Sequence, residues 1–216
     1  PTLIKGDDGL NYVLKMKGSG NGTRSLLREY IVNRCCSEVG FLVPKAHIIR
    51  IPKEYGWHFG TDEFDDIVQK SYGCNLGIEY IPRTQTVADL RVMLPHDRLF
   101  AQMIAIDLFF RNLDRTYESR NVIVDYNDNH WLIDHGSCEF IHSQSLVTAA
   151  DFPENHFLHS KFKEYLKLIG PLLSFDFSPI LTDIPTEWLA EAGTEIDIVY
   201  DSLEFRKKLI RRRYGA

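Results

Sequence analysis

Lys15 stands inside an apolar run, Tyr12-Val13-Leu14-Lys15-Met16, and Glu29 stands among Leu26, Leu27 and Tyr30 in a segment with helical spacing. A partly buried lysine is costly without a partner. A strand lysine met by a helical glutamate is a way to hold a cation rigidly against phosphate oxygens. Asp114 lies in a polar loop, Arg111-Asn112-Leu113-Asp114-Arg115-Thr116, directly after an apolar stretch. Asn121 opens one hydrophobic run, Asp134 closes the next, and Gly136 follows after a single residue. If those two runs pair as a hairpin, the Asn121 amide oxygen and the Asp134 carboxylate converge, a donor set suited to Mg²⁺. Together these residues supply the requirements of phosphoryl transfer. Lys15 neutralises nucleotide phosphates, Asn121 and Asp134 hold the metal, and Asp114 orients or deprotonates the attacking hydroxyl. Singly, an Asn-Asp pair at strand ends is ordinary turn chemistry, and a Lys-Glu match is an ordinary surface ion pair. The order of all of them along the chain carries the inference.

These residues need elements to position them. Thr2-Leu3-Ile4 and Leu10 to Lys17 flank an Asp-Gly turn and predict a hairpin. Leu26, Leu27, Tyr30, Ile31, Arg34 and Val39 repeat at helical spacing, from near Thr23 to Gly40. His47 to Ile51 and Gly77 to Ile81 read as strands, the second stopped by Pro82. Between them, residues 53–66 carry Asp62, Glu63, Asp65 and Asp66 and read as a solvated loop. Thr86 to Leu90 reads as a short helix capped at Thr86. A stronger helix runs from about Asp97 to Phe110, with Leu99, Met103, Ile106 and Phe110 on one stripe. Asn121 to Asp125 and His130 to Asp134 form the second hairpin, and Lys161–Ile169, Pro185–Ala192 and Thr194–Tyr214 read as helices. Asp107 either faces solvent or supports the polar loop through Arg115 or backbone N–H groups.

The sequence resembles the HipA-like kinases, which belong with the phosphatidylinositol 3- and 4-kinases in the wider protein-kinase-like fold. Tyr12 to Lys15, Arg28-Glu29-Tyr30, Arg111 to Thr116, Asn121-Val122-Ile123 and Leu132 to Gly136 carry the likeness, over residues 1 to about 140. The resemblance implies an α+β, compact two-lobed kinase-like fold, with a mixed nucleotide-binding lobe over 1–82 and a mainly helical lobe over 83–216. It implies ATP and Mg²⁺ as cofactors and a protein Ser or Thr hydroxyl as acceptor. Lys15 matches the nucleotide lysine, Glu29 its helix partner, Asp114 the catalytic aspartate, and Asn121 and Asp134 the metal ligands. Asn112 orients the loop or touches phosphate. Gly77 to Pro82 matches the interlobe hinge, so Ile78, Glu79, Tyr80 and Ile81 are the adenine-side candidates. Relatives commonly carry His where Thr116 stands, and place the metal asparagine five residues after the catalytic aspartate. Here the separation is seven and Ser119 stands at five; a two-residue insertion fits, because Asn121 directly precedes the strand. No glycine-rich loop precedes Lys15. Either it lies before Pro1, or the Gly6-Asp7-Asp8-Gly9 turn substitutes, although its acids would repel phosphate. These departures favour a pseudokinase as the rival reading; a small-molecule or phosphoinositide kinase is the rival among enzymes.

The chain has 216 residues, 44% of them hydrophobic and 25% charged, which excludes wholesale disorder. No apolar run reaches the ~18–20 residues of a membrane span, and no leader is visible at residues 1–11. A net charge of -5 argues against a stable nucleic-acid partner. Cys35, Cys36, Cys74 and Cys138 fit neither a disulfide framework nor a zinc site, so a reduced, cytoplasmic protein is expected. Cys138 has no adjacent His to make it a nucleophile, His135 reads as a packing residue, and His156 and His159 as surface histidines. Lys17 shares a strand face with Lys15, which is the better placed of the two for a cleft. The basic run Arg206 to Arg213 reads as a solvated helix end, or else as a docking surface for an acidic protein, RNA or anionic lipid.

Overall fold

The computed structural model describes residues 1–20, 22–54, 56, 61–87, 97–116, 118–119, 121–143, 154–156 and 166–215. The first hairpin forms as expected. β1 (Thr2–Lys5) pairs antiparallel with β2 (Asn11–Lys15), with Thr2 opposite Leu14. β2 alternates Tyr12 and Leu14, both buried, with Val13 and Lys15, so the lysine shares the half-buried face with Val13. α1 (Gly22–Glu38) follows; its end is closed by Gly40 N–H to Ser37 O and Phe41 N–H to Cys36 O, with Gly40 in the left-handed region at φ 77°. β3 (Ala46–Ile51) comes next.

The acidic segment is not the expected loop. α2 (Asp62–Gln69) begins within it. Asp62, Glu63 and Asp65 fall in its first turn, where the helix dipole favours negative charge. Phe64, Ile67 and Val68 recur at helical spacing and pack on Leu14, Met16 and Ile51. β4 (Gly73–Glu79) then completes an antiparallel sheet of order β1-β2-β4-β3.

A second correction concerns Thr86. It belongs to β5 (Gln85–Thr86), not to a helix cap, because Gln85 and Thr86 pair with Val124 and Ile123. Residues 88–90 of the expected helix lie outside the described residues. α3 (Asp97–Phe110) is buried from Leu99 to Phe110. β6 (Val122–Val124) and β7 (His130–Leu132) form the second hairpin and, with β5, a three-stranded sheet. Of the expected Lys161–Ile169 helix, residues 161–165 lie outside the described residues and Leu166–Leu168 make a single 3-10 turn. His159 lies outside them as well. The chain ends in α4 (Gly170–Ser174), α5 (Ser178–Thr182), α6 (Thr186–Ala192) and α7 (Ile196–Tyr214).

The protein is therefore α+β, with two antiparallel sheets and seven α-helices among the described residues. One apolar core runs from Leu26 and Ile31 of α1 through α3 to Trp188, Leu203 and Ile210 of the last helices. The basic run also departs from expectation. Arg206 is fully buried and donates from Nε to Phe109 O at 2.9 Å and from Nη2 to Leu108 O at 2.6 Å. It thereby satisfies carbonyls left unpaired at the end of α3. Lys207 is buried against Phe175 O at 2.5 Å, and only Lys208 and Arg211 to Arg213 are exposed among the cations of this run. Among the described residues no helix is long and apolar enough to cross a membrane.

Candidate active site

The strand register brings Lys15 to α1. Its Nζ donates to Glu29 Oε1 and Oε2, both at 2.7 Å, and to Asp134 Oδ1 at 2.9 Å. The Glu29 side chain is 2% exposed and that of Asp134 is 53% exposed, so the ammonium bridges a buried carboxylate and an open one. Burial disfavours the lysine charge, yet Glu29 and Asp134 outweigh it and hold Lys15 above the ordinary lysine range. The His135 backbone N–H adds a hydrogen bond to Glu29. Lys17 is not part of this group; it pairs with Glu191 at 2.7 Å.

Lys15, Glu29 and Asp134 line a cavity of about 380 Å³, within the size range of small-molecule sites. Val13 and Ile78 come from the first sheet, Ile123 and Ile133 from the second hairpin, and Glu79, Tyr80 and Ile81 close one end. The backbone N–H groups of Glu79 and Tyr80 are already bonded to Lys45 O and Asn11 O. Ser19 and Ser25 border the cavity near the start of α1, whereas the Gly6 to Gly9 turn does not line it. Gly136 packs so closely on α1 that a Cβ there would lie 2.1 Å from Ser25 Oγ.

The polar loop is held from below. Asp107 and Arg115 are both fully buried, and Arg115 Nε lies 3.1 and 2.9 Å from the two Asp107 oxygens. Of the two readings of Asp107, the structure thus selects the supporting one. Burial raises its carboxyl to about 6, against the pull of Arg115. Arg115 Nη1 reaches Asn121 O at 3.0 Å, and Asn112 Nδ2 reaches Asp107 Oδ1 at 3.1 Å. Asn112 Oδ1 in turn accepts from Asp114 N at 3.2 Å. Asn112 is fully buried, so it acts on Asp114 from within and is closed to a bound phosphate. His156, expected at the surface, is buried instead, with Nε2 2.9 Å from Asn112 O; burial lowers it to about 4.

Asp114 is exposed and receives Ser137 Oγ at 3.4 Å. Asn121 stands opposite Ile133 at the hairpin end, where Ile133 N donates to Asn121 O at 3.0 Å; the next residue, Asp134, lines the cavity, whereas Asn121 and Asp114 do not. Asn121 and Asp134 both have positive φ, 48° and 60°, conformations that Asn and Asp tolerate and that cluster at functional sites. Asn121 Nδ2 is buried without a hydrogen-bond partner, a donor that could meet an anionic oxygen; a cation would take the Oδ1 atom of this amide. Ser119 is spent inside its own loop, donating to Asp114 O and accepting from Thr116 N. No cluster of three or more His, Cys, Asp or Glu suited to a metal occurs among the described residues. The Asp134 carboxylate and the Asn121 amide oxygen are the oxygen donors here that could contribute to holding Mg²⁺, which takes few protein ligands and fills its shell with water and phosphate.

The profile of the HipA-like kinase family matches residues 1–214. The chain belongs to that family. Its activity class is therefore that of a kinase, a phosphotransferase, and the HipA-like kinase match takes in the C-terminal helices as well as the motif-bearing first 140 residues. No curated protein matches the chain. Three features of this HipA-like kinase were invisible to sequence reasoning: the Gly136–Ser25 contact, the Ser137–Asp114 contact, and the grip of α6 on α1. In that grip Glu191 bonds both Lys17, at 2.7 Å, and Thr23, at 2.6 Å, closing the loop between β2 and α1. Trp188 stacks edge-on to Tyr30 and donates to Cys74 O at 2.8 Å. The four cysteines are free and buried, and burial pushes the thiols of Cys35, Cys36 and Cys138 well up, which leaves them inert.

Proposed function

We propose that this HipA-like kinase uses ATP and Mg²⁺ to transfer the γ-phosphoryl group to a Ser or Thr hydroxyl of a protein. The observation that carries the reading is the Lys15 ammonium fixed between Glu29 and Asp134 on the wall of a nucleotide-sized cavity. The nucleotide enters between Val13, Ile78 and Ile133, with its adenine edge toward Tyr80 and Ile81. Since the N–H groups of Glu79 and Tyr80 are occupied, the Ile81 N–H is the hinge donor. Lys15 keeps Glu29 and exchanges the exposed Asp134 for phosphate oxygens. Asp134, through its carboxylate, and Asn121, through its amide oxygen, would be the residues that hold Mg²⁺, which would offset charge on the transferred group when bound. Asp114 accepts the proton of the attacking hydroxyl, in the place where Ser137 Oγ now rests. Residues 1–82 and 83–216 act as the two lobes about this cleft, with no nucleic acid required.

The test is mass spectrometry of the protein incubated with γ-labelled ATP and Mg²⁺, alone and with cell lysate, beside Asp114→Ala and Asp134→Ala. Label on protein Ser or Thr that vanishes in both variants supports the reading. Label in lipid or metabolite moves the acceptor class and keeps the chemistry. Saturable ATP binding without transfer to any pool makes it a pseudokinase.

A further inference from the structure

On the outer side of α1, away from the nucleotide cavity, Arg24, Arg28, His142 and Thr194 line a second cavity of about 100 Å³, with Leu27 and Ile141 as its apolar wall. Three features of this corner are unfavourable as they stand. Arg24 lies in the first turn of α1, which carries no acid there, so its charge faces the positive end of the helix dipole, and Arg28 follows in the second turn. The two arginines are also four residues apart, the spacing at which like charges on a helix repel. And Thr194, 9% exposed, has a buried hydroxyl with no hydrogen-bond partner. Neither arginine makes an ion pair among the described residues. Arg24 is fixed only through Nε, which donates to Ala192 O at 2.9 Å and leaves its other donors unused. Glu29 is committed to Lys15 and Glu191 to Lys17 and Thr23, whereas Glu195, next to Thr194, is an exposed carboxylate at this corner.

One ligand relieves all three faults. We infer that this cavity binds a phosphate-sized oxyanion, free or as a phosphomonoester, between the forks of Arg24 and Arg28 and the Thr194 hydroxyl. Guanidinium groups match a tetrahedral oxyanion with paired charge-assisted hydrogen bonds. The size agrees, since sites for nucleotides and other drug-sized ligands start near ~300 Å³, three times this volume. The protein is acidic overall, so two unpaired arginines on one small cavity are a local feature rather than a general excess of charge. A bound anion ties the first turns of α1 to the α6–α7 corner and to the segment that follows Gly136. Its effect on the Lys15–Glu29 pair rests on the kinase reading; the binding does not.

Titration calorimetry of the full chain with inorganic phosphate, and separately with O-phosphoserine, at ionic strength matched with chloride, tests this. Saturable binding is expected, weakened roughly tenfold or more in Arg28→Gln, as the loss of a charged hydrogen bond requires, and by about threefold in Thr194→Val, whose hydroxyl contact is neutral. Should Arg28→Gln fail to fold, Arg28→Lys keeps the charge and removes the fork. Tighter binding of phosphoserine assigns an esterified phosphate; tighter inorganic phosphate assigns the free ion. No binding above chloride, or binding unchanged in both Arg28 and Thr194 variants because phosphate sits at Lys15, overturns the inference. ATP turnover is not read in either case, so failure here leaves the kinase reading intact.

Discussion

Removing the charge of Asp107 separates stability from positioning. Asp107 and Arg115 are each fully buried, and among the described residues the guanidinium has no second carboxylate within reach and its Nη2 no hydrogen-bond partner. Asp107→Asn therefore leaves a buried cation uncompensated, which costs about 3–5 kcal/mol. Against a total of about 5–15 kcal/mol for a folded domain, that loss shifts the urea midpoint sharply while the slope stays near wild type. Burial raises the Asp107 carboxyl to about 6 despite Arg115, so at this carboxylate desolvation outweighs the attraction. A double replacement, Asp107→Leu with Arg115→Met, is thus expected to recover stability to within about 1 kcal/mol. It will not recover transfer. Arg115 is what holds the Asn121 carbonyl, and Asp107 is what holds the Asn112 amide that carries Asp114. Misplacement by about an ångström costs on the order of 100-fold. A single variant that loses under about 1 kcal/mol would show that the pair is not dry. A double variant with near-native transfer would refute the positioning argument.

Three further perturbations test the same geometry. Gly136→Ala is expected to lose about 1–3 kcal/mol from overpacking, and adding Ser25→Ala, which removes the atom 2.1 Å from the new Cβ, should restore most of it in thermal melts. His156, held at about 4 against an ordinary 6.5, binds its proton more readily when unfolded, so its contribution is complete above pH 6.5 and lost as pH falls toward 4. Melts of wild type minus His156→Gln across that window should differ by on the order of 3 kcal/mol; a flat difference rejects the assignment. Glu191→Ala should weaken nucleotide affinity severalfold while the melting temperature changes little, because a half-exposed ion pair contributes about 0–1 kcal/mol; equal loss in both would make Glu191 merely structural.

What the sequence disclosed and what it concealed divide along physical lines. The hairpins, α1 and α3 were legible because their apolar periods, two or 3.6, are local. α2 was hidden because its acids dominate the composition, while the three apolar residues that matter occupy one narrow stripe. Arg206 looked solvated because a basic run reads as surface, and nothing local indicates that one guanidinium in it turns inward to the end of α3. The Lys15–Glu29 pairing was legible, since a lysine inside an apolar strand needs a partner and a glutamate on the apolar side of α1 offers one. Its supports were not. Glu191 lies 174 positions from the Lys17 it binds, and an ordinary surface helix gives no sign of that partner.

Those supports explain why the placement of Lys15 depends on the last helices. Lys15 is on a strand and Glu29 on a helix, joined only by a connector rich in glycine and serine. Such a connector fixes neither distance nor angle, and a lysine–glutamate pair at 2.7 Å tolerates little variation in either. Glu191 closes the connector by bonding both of its ends. Trp188 fixes the helix against β4 through Tyr30 and Cys74 O. Gly136 lets the segment after Asp134 approach α1 without a side chain between them. α1 is thus held on one side by α6 and on another by the segment that carries Asp134, and the ammonium sits where those constraints meet. A ligand or substitution that loosens either side changes the Lys15 position before it changes the fold. An anion bound between Arg24 and Arg28, on the first two turns of α1, would therefore act on Lys15 through that helix.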